Sequence, residues 1–153
     1  MVDVKTEIII NRPQKIVSEY AMNPHNAPKW YVNIKSAAYL PGESGENKDQ
    51  LSVGSKVAFV AHFMGKKLSY TYEVLEMSDN KFVMKTAQGP FPMETIYEWE
   101  SISPGATRMR LINRGNPKGF SKLLSPIMSM MMQRANQKDL RRIKQILENN
   151  QDL

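Results

Sequence analysis

The sequence predicts an α+β domain in which a curved antiparallel sheet packs against one long C-terminal helix. Three observations support this prediction. Residues 92–101 alternate between two kinds of side chain, as a strand with one buried and one wet face does. Short alternating segments joined by turns precede and follow it, which is typical of a meander. A methionine-rich segment with helical periodicity then occupies residues 119–149.

The N-terminal part predicts one strand, two short helices and a second strand. Residues 4–10 alternate as a strand, and Pro13 suits the first position of a helix over residues 14–21. Residues 23–28 are rich in Pro and Asn, which predicts a turn with one more short helical segment. Residues 32–40 read as the second strand.

The middle of the chain predicts five further strands. Residues 41–50 are polar and contain glycines, so we expect a mobile surface loop there. Five alternating segments then follow, which makes seven strands in all. Their inward faces carry aromatic, hydroxyl and thioether side chains, and this mixture suits the wall of a cavity. These inward residues are Phe59, Phe63, Tyr70, Tyr72, Met84, Thr86, Met93, Thr95, Tyr97, Trp99 and Met109.

The C-terminal segment predicts a short helix over residues 120–124 and a long one from Pro126 to about residue 149. Pro126 breaks a helix that runs through it but suits a first turn after Ser125. On a helical wheel, one apolar stripe contains Leu124, Ile127, Met128, Met131 and Ala135. A second stripe starts at Met132, meets Asn136 and resumes at Leu140, Ile143 and Leu147. We therefore expect the apolar face to rotate partway along the helix.

Length and composition restrict the class of protein. A chain of 153 residues fits a single domain over residues 1–153, which buries roughly 68–70% of its unfolded surface. The chain contains no cysteine, which excludes disulfides and thiolate chemistry. No run approaches the roughly 20 apolar residues of a membrane span, and no signal peptide is evident, so we expect a cytoplasmic protein.

Catalytic and metal-binding patterns are not evident in the sequence. The strand acids Glu73, Glu94, Glu98 and Glu100 fall on outward faces by alternation. His62 also points outward, and His25 lies in a loop. We therefore expect no catalytic residue, no metal and no cofactor, since no inward acid, base or ligand cluster is predicted.

Several motifs, in this order and spacing, resemble the helix-grip or START-like superfamily, which includes polyketide cyclases, SRPBCC-type lipid-transfer domains and Bet v 1-like allergens. They are INRPQKIV at 10–17, NP at 23–24, KWY at 29–31, SVG at 52–54, YEVLE at 72–76, GATR at 105–108 and DLRRIK at 139–144. The resemblance covers nearly the whole chain. It implies a seven-stranded sheet wrapped around the C-terminal helix, with a deep pocket between them.

The predicted pocket combines the inward strand residues with one face of the helix. The helix is expected to contribute Met128, Met131, Met132 and Ala135. We expect the indole of Trp99 to lie against the ligand and Trp30 to lie near the mouth. A mostly apolar wall with a few polar groups is typical of small-molecule sites, and methionine adapts to varied ligands.

Three functions are compatible with these features. The first is binding or transport of a hydrophobic small molecule such as a lipid, quinone or polyketide. The second is a polyketide cyclase, aromatase or dehydrase that acts by positioning its substrate. The third is a regulatory protein that contacts an anionic surface or protein through Arg134, Lys138 and Arg141 on the helix. DNA binding is not expected, because that helix lacks aromatic residues for stacking on bases.

Overall fold

The computed structural model describes residues 2–40, 51–63, 65–89, 92–115 and 125–150. It confirms the predicted α+β, helix-grip arrangement. The strands are β1 (Val2–Ile10), β2 (Ile34–Tyr39), β3 (Lys56–Phe63), β4 (Lys66–Met77), β5 (Lys81–Gln88), β6 (Met93–Ser103) and β7 (Ala106–Gly115). The helices are α1 (Gln14–Met22), a 3-10 turn (Pro24–Asn26), α2 (Ala27–Trp30) and α3 (Ser125–Asn149).

The seven strands form one antiparallel sheet in the order β1-β7-β6-β5-β4-β3-β2. Every neighbouring pair except β1–β7 is consecutive in the chain, as expected for a meander. The two edge strands, β1 and β2, are joined by α1, the 3-10 turn and α2. This connection therefore spans from one edge of the sheet to the other, and α3 packs closely on β1 and beside α2.

Register shifts bend the sheet. Two occur between β4 and β5, at Thr71/Tyr72 and Val74/Glu76, one between β2 and β3, and one between β6 and β7. A bulge bends its strand and increases the local twist. The sheet therefore has a concave face, which carries most of the buried aromatic and aliphatic side chains.

Buried residues occur along α3 from Met128 to Leu147. They are Met128, Asn136, Asp139, Leu140, Ile143 and Leu147, and the half-buried Met132 and Ala135 lie between Met128 and Asn136. Ile127, assigned to the first apolar stripe, is instead 47% exposed. The second stripe packs inward through the polar position at Asn136, and Met128 of the first stripe is buried as well.

The C-terminal end of α3 is fixed to the β1–α1 corner by polar contacts. Arg12 donates from Nη1 to the backbone oxygens of Leu147 at 2.6 Å and Asn150 at 2.8 Å. Lys144 donates to the backbone oxygen of Ile9 at 2.7 Å. Because the last carbonyls of a helix have no partners within it, Arg12 satisfies groups that otherwise depend on solvent.

The convex face of the sheet contains buried apolar side chains. Val83, Ile96 and Ile112 are neighbours across β5, β6 and β7 and form a small buried cluster, although alternation predicts all three to be outward. Two rows of alternating charge border them. In the strand register these rows are Asp3–Arg114–Glu94–Lys85–Glu73–Lys56 and Glu7–Arg110–Glu98–Lys81. Long charged side chains cover apolar surface with their stems, which accounts for this burial.

Two predicted features lie outside the described residues: the mobile loop at 41–50 and the short helix at 120–124. The second strand begins at Ile34 rather than residue 32. Before it, the backbone N–H of Val32 bonds to the side chain of Asp139 on α3.

Candidate functional site

A cavity of about 150 Å3 lies between the concave face of the sheet and the N-terminal half of α3. Ten of the fifteen residues predicted to form the pocket line it. They are Phe59, Tyr70, Tyr72, Met84, Met93, Thr95, Tyr97, Met128, Met132 and Ala135. Eight further residues complete the described wall: Tyr31, Asn33, Ile34, Ala61, Leu68, Asn113, Asn136 and Asp139. Phe63 belongs to β3, but its side chain lies outside what the structure describes.

Four predicted residues lie away from the described wall: Thr86, Trp99, Met109 and Met131. Trp99 and Met109 face each other in the β6–β7 register and are buried in the core with the C-terminal half of α3. Alternation identified their face of the sheet correctly but does not reveal which end of the strand reaches the cavity. Trp30, predicted near the mouth, is also fully buried in this core.

Thr86 and Met131 do not line the cavity, and local contacts or position explain each case. The Thr86 hydroxyl donates to the backbone oxygen of Met93 at 2.9 Å and accepts from its N–H at 3.0 Å. It thus links β5 to the start of β6. Met131 is half-buried on the flank of α3, because Met128 and Met132 occupy the inward positions.

The apolar part of the wall consists of rings and thioethers. Phe59 and Tyr72 pack edge to face with ring centroids 5.7 Å apart, and Tyr70 lies 6.0 Å from Tyr72. Met84 lies on the sheet side and Met128 on the helix side. Flexible, polarizable thioethers on both sides let the wall adapt to the shape of an occupant.

An acid on α3 faces the cavity, contrary to the prediction that no inward acid exists. Asp139 is only 3% exposed, and its Oδ1 accepts the backbone N–H of Val32 at 2.8 Å. Burial raises the pKa of Asp139 to about 7, although the Val32 hydrogen bond and the positive charge of Arg142 oppose this shift. Its carboxyl group therefore exchanges a proton near neutral pH.

Asn136 lies one turn before Asp139 and shares its face of the helix. It is 5% exposed, and its Nδ2 is buried without a hydrogen-bond partner among the described residues. Sequence reasoning read Asn136 as a break in an apolar stripe. The recognisable signal was two polar residues, three positions apart, on the otherwise apolar face that continues to Leu140 and Ile143.

Two tyrosine hydroxyls supply further polar atoms to the cavity. The hydroxyl of Tyr31, just past α2, forms a short hydrogen bond with that of Tyr97 on β6. Burial raises the pKa of both hydroxyls above the usual tyrosine value, and the nearby Asp139 adds to the shift. Both remain protonated at neutral pH. The ring of Trp30 packs on Tyr31, with centroids 4.1 Å apart.

Asn113 and Thr95 satisfy each other on the sheet side. The Thr95 hydroxyl donates to Oδ1 of Asn113 at 2.9 Å, between neighbouring strands β6 and β7. This pair is internally bonded, so it differs from Asn136 in having a partner.

The histidines do not contribute to this wall. His25 is exposed and packs against Tyr39 with ring centroids 5.2 Å apart, and His62 is exposed on β3. Across the described ranges, no three His, Cys, Asp or Glu side chains are placed to share a metal ion. No helix in the described part of the chain is long and apolar enough to span a bilayer.

The fold is similar to several solved structures. A protein from Thermus thermophilus aligns with a TM-score of 0.78 at 18% identity, over 94% of each chain. An aromatase/cyclase from a Streptomyces species aligns with a TM-score of 0.77 at 10% identity, over 95% of this chain and 93% of that one. A START superfamily protein from Mycobacterium smegmatis gives a TM-score of 0.72 at 13% identity, over 94% of this chain and 98% of that one. A search of curated proteins found no match.

The sequence itself matches a family model over residues 1–148, almost its whole length. That family is described as polyketide cyclase/dehydrase and lipid transport. The match agrees with the sheet, the long helix and the cavity between them, and with the motifs that suggested a START-like domain. The chain therefore belongs to the polyketide cyclase/dehydrase and lipid transport family.

Proposed function

We propose that this protein binds or transports a hydrophobic small molecule, of the lipid, quinone or polyketide type, in the cavity between the sheet and α3. The observation that carries the proposal is the cavity itself, whose wall is mainly aromatic and aliphatic with a few polar side chains, among them Asn136 and Asp139. This distribution is typical of small-molecule sites. The family to which the chain belongs supports the same role.

The proposed ligand contacts are the ten predicted residues that line the cavity, with Phe59, Tyr72 and Met84 on the sheet side and Met128, Met132 and Ala135 on the helix side. Asp139 and Asn136 are added as polar contacts. A ligand of one ring or a short chain fits the described volume, since a cavity of about 150 Å3 accommodates benzene.

A cavity-filling variant tests this function. The protein is purified, and bound molecules are identified by native mass spectrometry and by mass spectrometry of organic extracts. Ala135→Leu projects extra volume into the cavity, so we expect it to lose the bound molecule while its helix is retained. Gln133→Leu, on the exposed face of the same helix, is the matched control and should keep it. Extracts without ligand from wild type, together with no uptake of added apolar ligands, would refute the proposal.

A second candidate is catalysis of cyclisation or dehydration on a polyketide-like substrate. One observation favours it: Asp139 lies in the cavity wall with a pKa of about 7. A carboxyl group that titrates near the working pH is suited to donate or accept a proton. Asp139→Asn removes that proton transfer, so it should abolish turnover of a reactive polyketide analogue while ligand uptake persists. Turnover equal to wild type would reject an acid–base role.

Contact with an anionic partner through Arg134, Lys138 and Arg141 stays a prediction. All three side chains are exposed on α3. The expected cytoplasmic location also stays a prediction.

A further inference from the structure

Hydrogen-bond donors without partners converge on one side of the cavity. Asn136 lines the cavity, and its Nδ2 has no partner among the described residues. The Tyr31 and Tyr97 hydroxyls bring two hydrogens to a contact that uses one, which leaves one hydrogen to donate. These groups share the cavity wall with Asp139.

The environment of Asp139 favours its neutral, protonated form. Its carboxyl group is buried and forms no ion pair within the described ranges. The titratable groups that face it are the neutral hydroxyls of Tyr31 from the end of α2 and Tyr97 from β6. The charge that acts on it is that of Arg142 on its own helix, whose side chain is exposed. A buried carboxyl without a counter-ion is stabilised by taking up a proton, in agreement with its raised pKa.

The protonated oxygen of Asp139 is a donor. Its Oδ1 accepts the Val32 N–H, so a proton on Oδ2 leaves that hydrogen bond intact. Asp139, Asn136 and the tyrosine pair therefore all carry hydrogens at the wall of the same cavity. An oxygen with two lone pairs satisfies two such donors at once, whereas a ligand that carries only N–H groups leaves every one of them unpaired.

We propose that Asn136, Asp139 and the Tyr31–Tyr97 pair form a donor cluster that binds the oxygen of a neutral ring-conjugated ketone, such as an aryl ketone or a quinone. The inference rests on the proposed ligand-binding function and specifies its ligand class. The ring of the ligand lies against the aromatic and thioether wall formed by Phe59, Tyr72 and Met84. The carbonyl oxygen points toward α3.

Acetophenone and isopropylbenzene test the inference. They have the same number of heavy atoms and nearly the same shape, but only acetophenone carries a carbonyl oxygen. Binding is followed by NMR with methyl-13C methionine labelling, because Met84, Met93, Met128 and Met132 line the cavity. We expect acetophenone to bind roughly threefold to tenfold more tightly than isopropylbenzene at pH 6, in keeping with a buried hydrogen bond. With 13C-carbonyl acetophenone, the carbonyl resonance should move downfield on binding.

Substitutions on α3 test whether the preference for acetophenone comes from the donor cluster. Asn136→Leu keeps the branched shape of the side chain and removes a donor that has no protein partner among the described residues, so the protein should fold while its preference for acetophenone falls severalfold. Asp139→Asn keeps an acceptor for the Val32 N–H and a donor that does not titrate. Wild-type affinity for acetophenone should fall between pH 6 and 8 as Asp139 loses its proton, and this dependence should disappear in Asp139→Asn. Gln133→Leu is the control and should match wild type.

The possible results separate the two proposals. If neither compound perturbs the methionines of the cavity, the ligand-binding function itself is wrong. If both bind equally well, or Asn136→Leu keeps the full preference, ligand binding stands and the donor cluster is wrong. An affinity for acetophenone that rises with pH also overturns the inference, because Asp139 then acts as an acceptor.

Discussion

The carboxyl group of Asp139, midway along α3, accepts the backbone N–H of Val32 at 2.8 Å, immediately beyond the end of α2. One side chain thereby connects the long helix to the segment that leads into the edge strand β2. The bond satisfies a backbone donor where no strand has yet begun. It also fixes the orientation of the only acid described in the cavity wall.

The stability of the protein should decrease as the pH rises from about 4 to 7. Asp139 has its pKa raised from 3.8 to about 7 in the folded state. The folded protein therefore binds this proton more tightly than the unfolded chain does. Protonation of Asp139 stabilises the fold fully below the pKa of Asp139 in the unfolded chain, and this stabilisation is lost as the pH rises through its pKa in the folded protein. The expected loss is of the order of a few kcal/mol, and urea unfolding at pH 5, 6, 7 and 8 measures it.

Asp139→Asn removes the titrating group and keeps an acceptor for Val32. We expect its free energy of unfolding to change much less over this pH range and to exceed that of wild type at pH 8. Glu19→Gln, at an exposed position on α1, is the control and should keep the wild-type slope. If the free energy of unfolding of Asp139→Asn changed with pH as steeply as that of wild type, the pH dependence would belong to other groups.

Arg12→Ala should destabilise the fold without weakening ligand binding. The substitution removes the donor to the carbonyls of Leu147 and Asn150 at the end of α3, far along the helix from the cavity. Loss of hydrogen bonds from a charged group is expected to reduce the free energy of unfolding by about 1.5–3 kcal/mol. Arg141→Ala, at an exposed position on the same helix, should change it by less than about 0.5 kcal/mol. Equal effects of the two substitutions would contradict this role for Arg12.

Trp99→Phe should reduce stability and leave ligand affinity unchanged. Trp99 is 3% exposed and packs beside Tyr97 and opposite Met109, away from the described cavity wall. Truncation of a buried tryptophan to alanine costs about 3–5 kcal/mol, and the change to phenylalanine should cost a fraction of that. Urea unfolding and ligand titration measure the two quantities. A large loss of affinity at unchanged stability would place Trp99 against the ligand.

The Tyr31–Tyr97 hydrogen bond should give a coupling energy between the two residues in the free energy of unfolding. Either Tyr31→Phe or Tyr97→Phe leaves the other hydroxyl without its partner, so each should lower the free energy of unfolding by about 0.5–1.5 kcal/mol. The double variant should cost less than the sum of the two single ones, because the bond is lost only once. Unfolding of all four proteins completes this double-mutant cycle, and strict additivity would show that the two hydroxyls do not interact.

Strand alternation was sufficient to predict the sheet and most of its inner face. Period-2 patterning identified Phe59, Tyr72, Met84 and Tyr97, and all four line the cavity. The same pattern placed Trp99 there, but it lies in the core instead. Alternation reports the face of the sheet on which a side chain lies. The part of α3 that covers each strand depends on tertiary packing, which a local pattern does not contain.

The polar side of the cavity was harder to predict from the sequence. Asp139 is followed by Leu140 and two arginines, so it reads as part of a charged, solvated surface. Its burial depends on the end of α2 lying against α3, a contact between segments more than 100 residues apart. The convex cluster of Val83, Ile96 and Ile112 was missed for a related reason, because its cover comes from charged side chains of neighbouring strands.

The polar attachment at Arg12 divides α3 into two parts with different roles. Its C-terminal turns are tied to β1 and the β1–α1 corner, so substitutions there act mainly on folding. Its N-terminal turns border the cavity, and changes at Met128, Met132 or Ala135 alter the shape of the cavity more than the anchorage of the helix. Ligand preference can therefore diverge between related proteins by substitution in the first half of one helix, while the second half preserves the architecture.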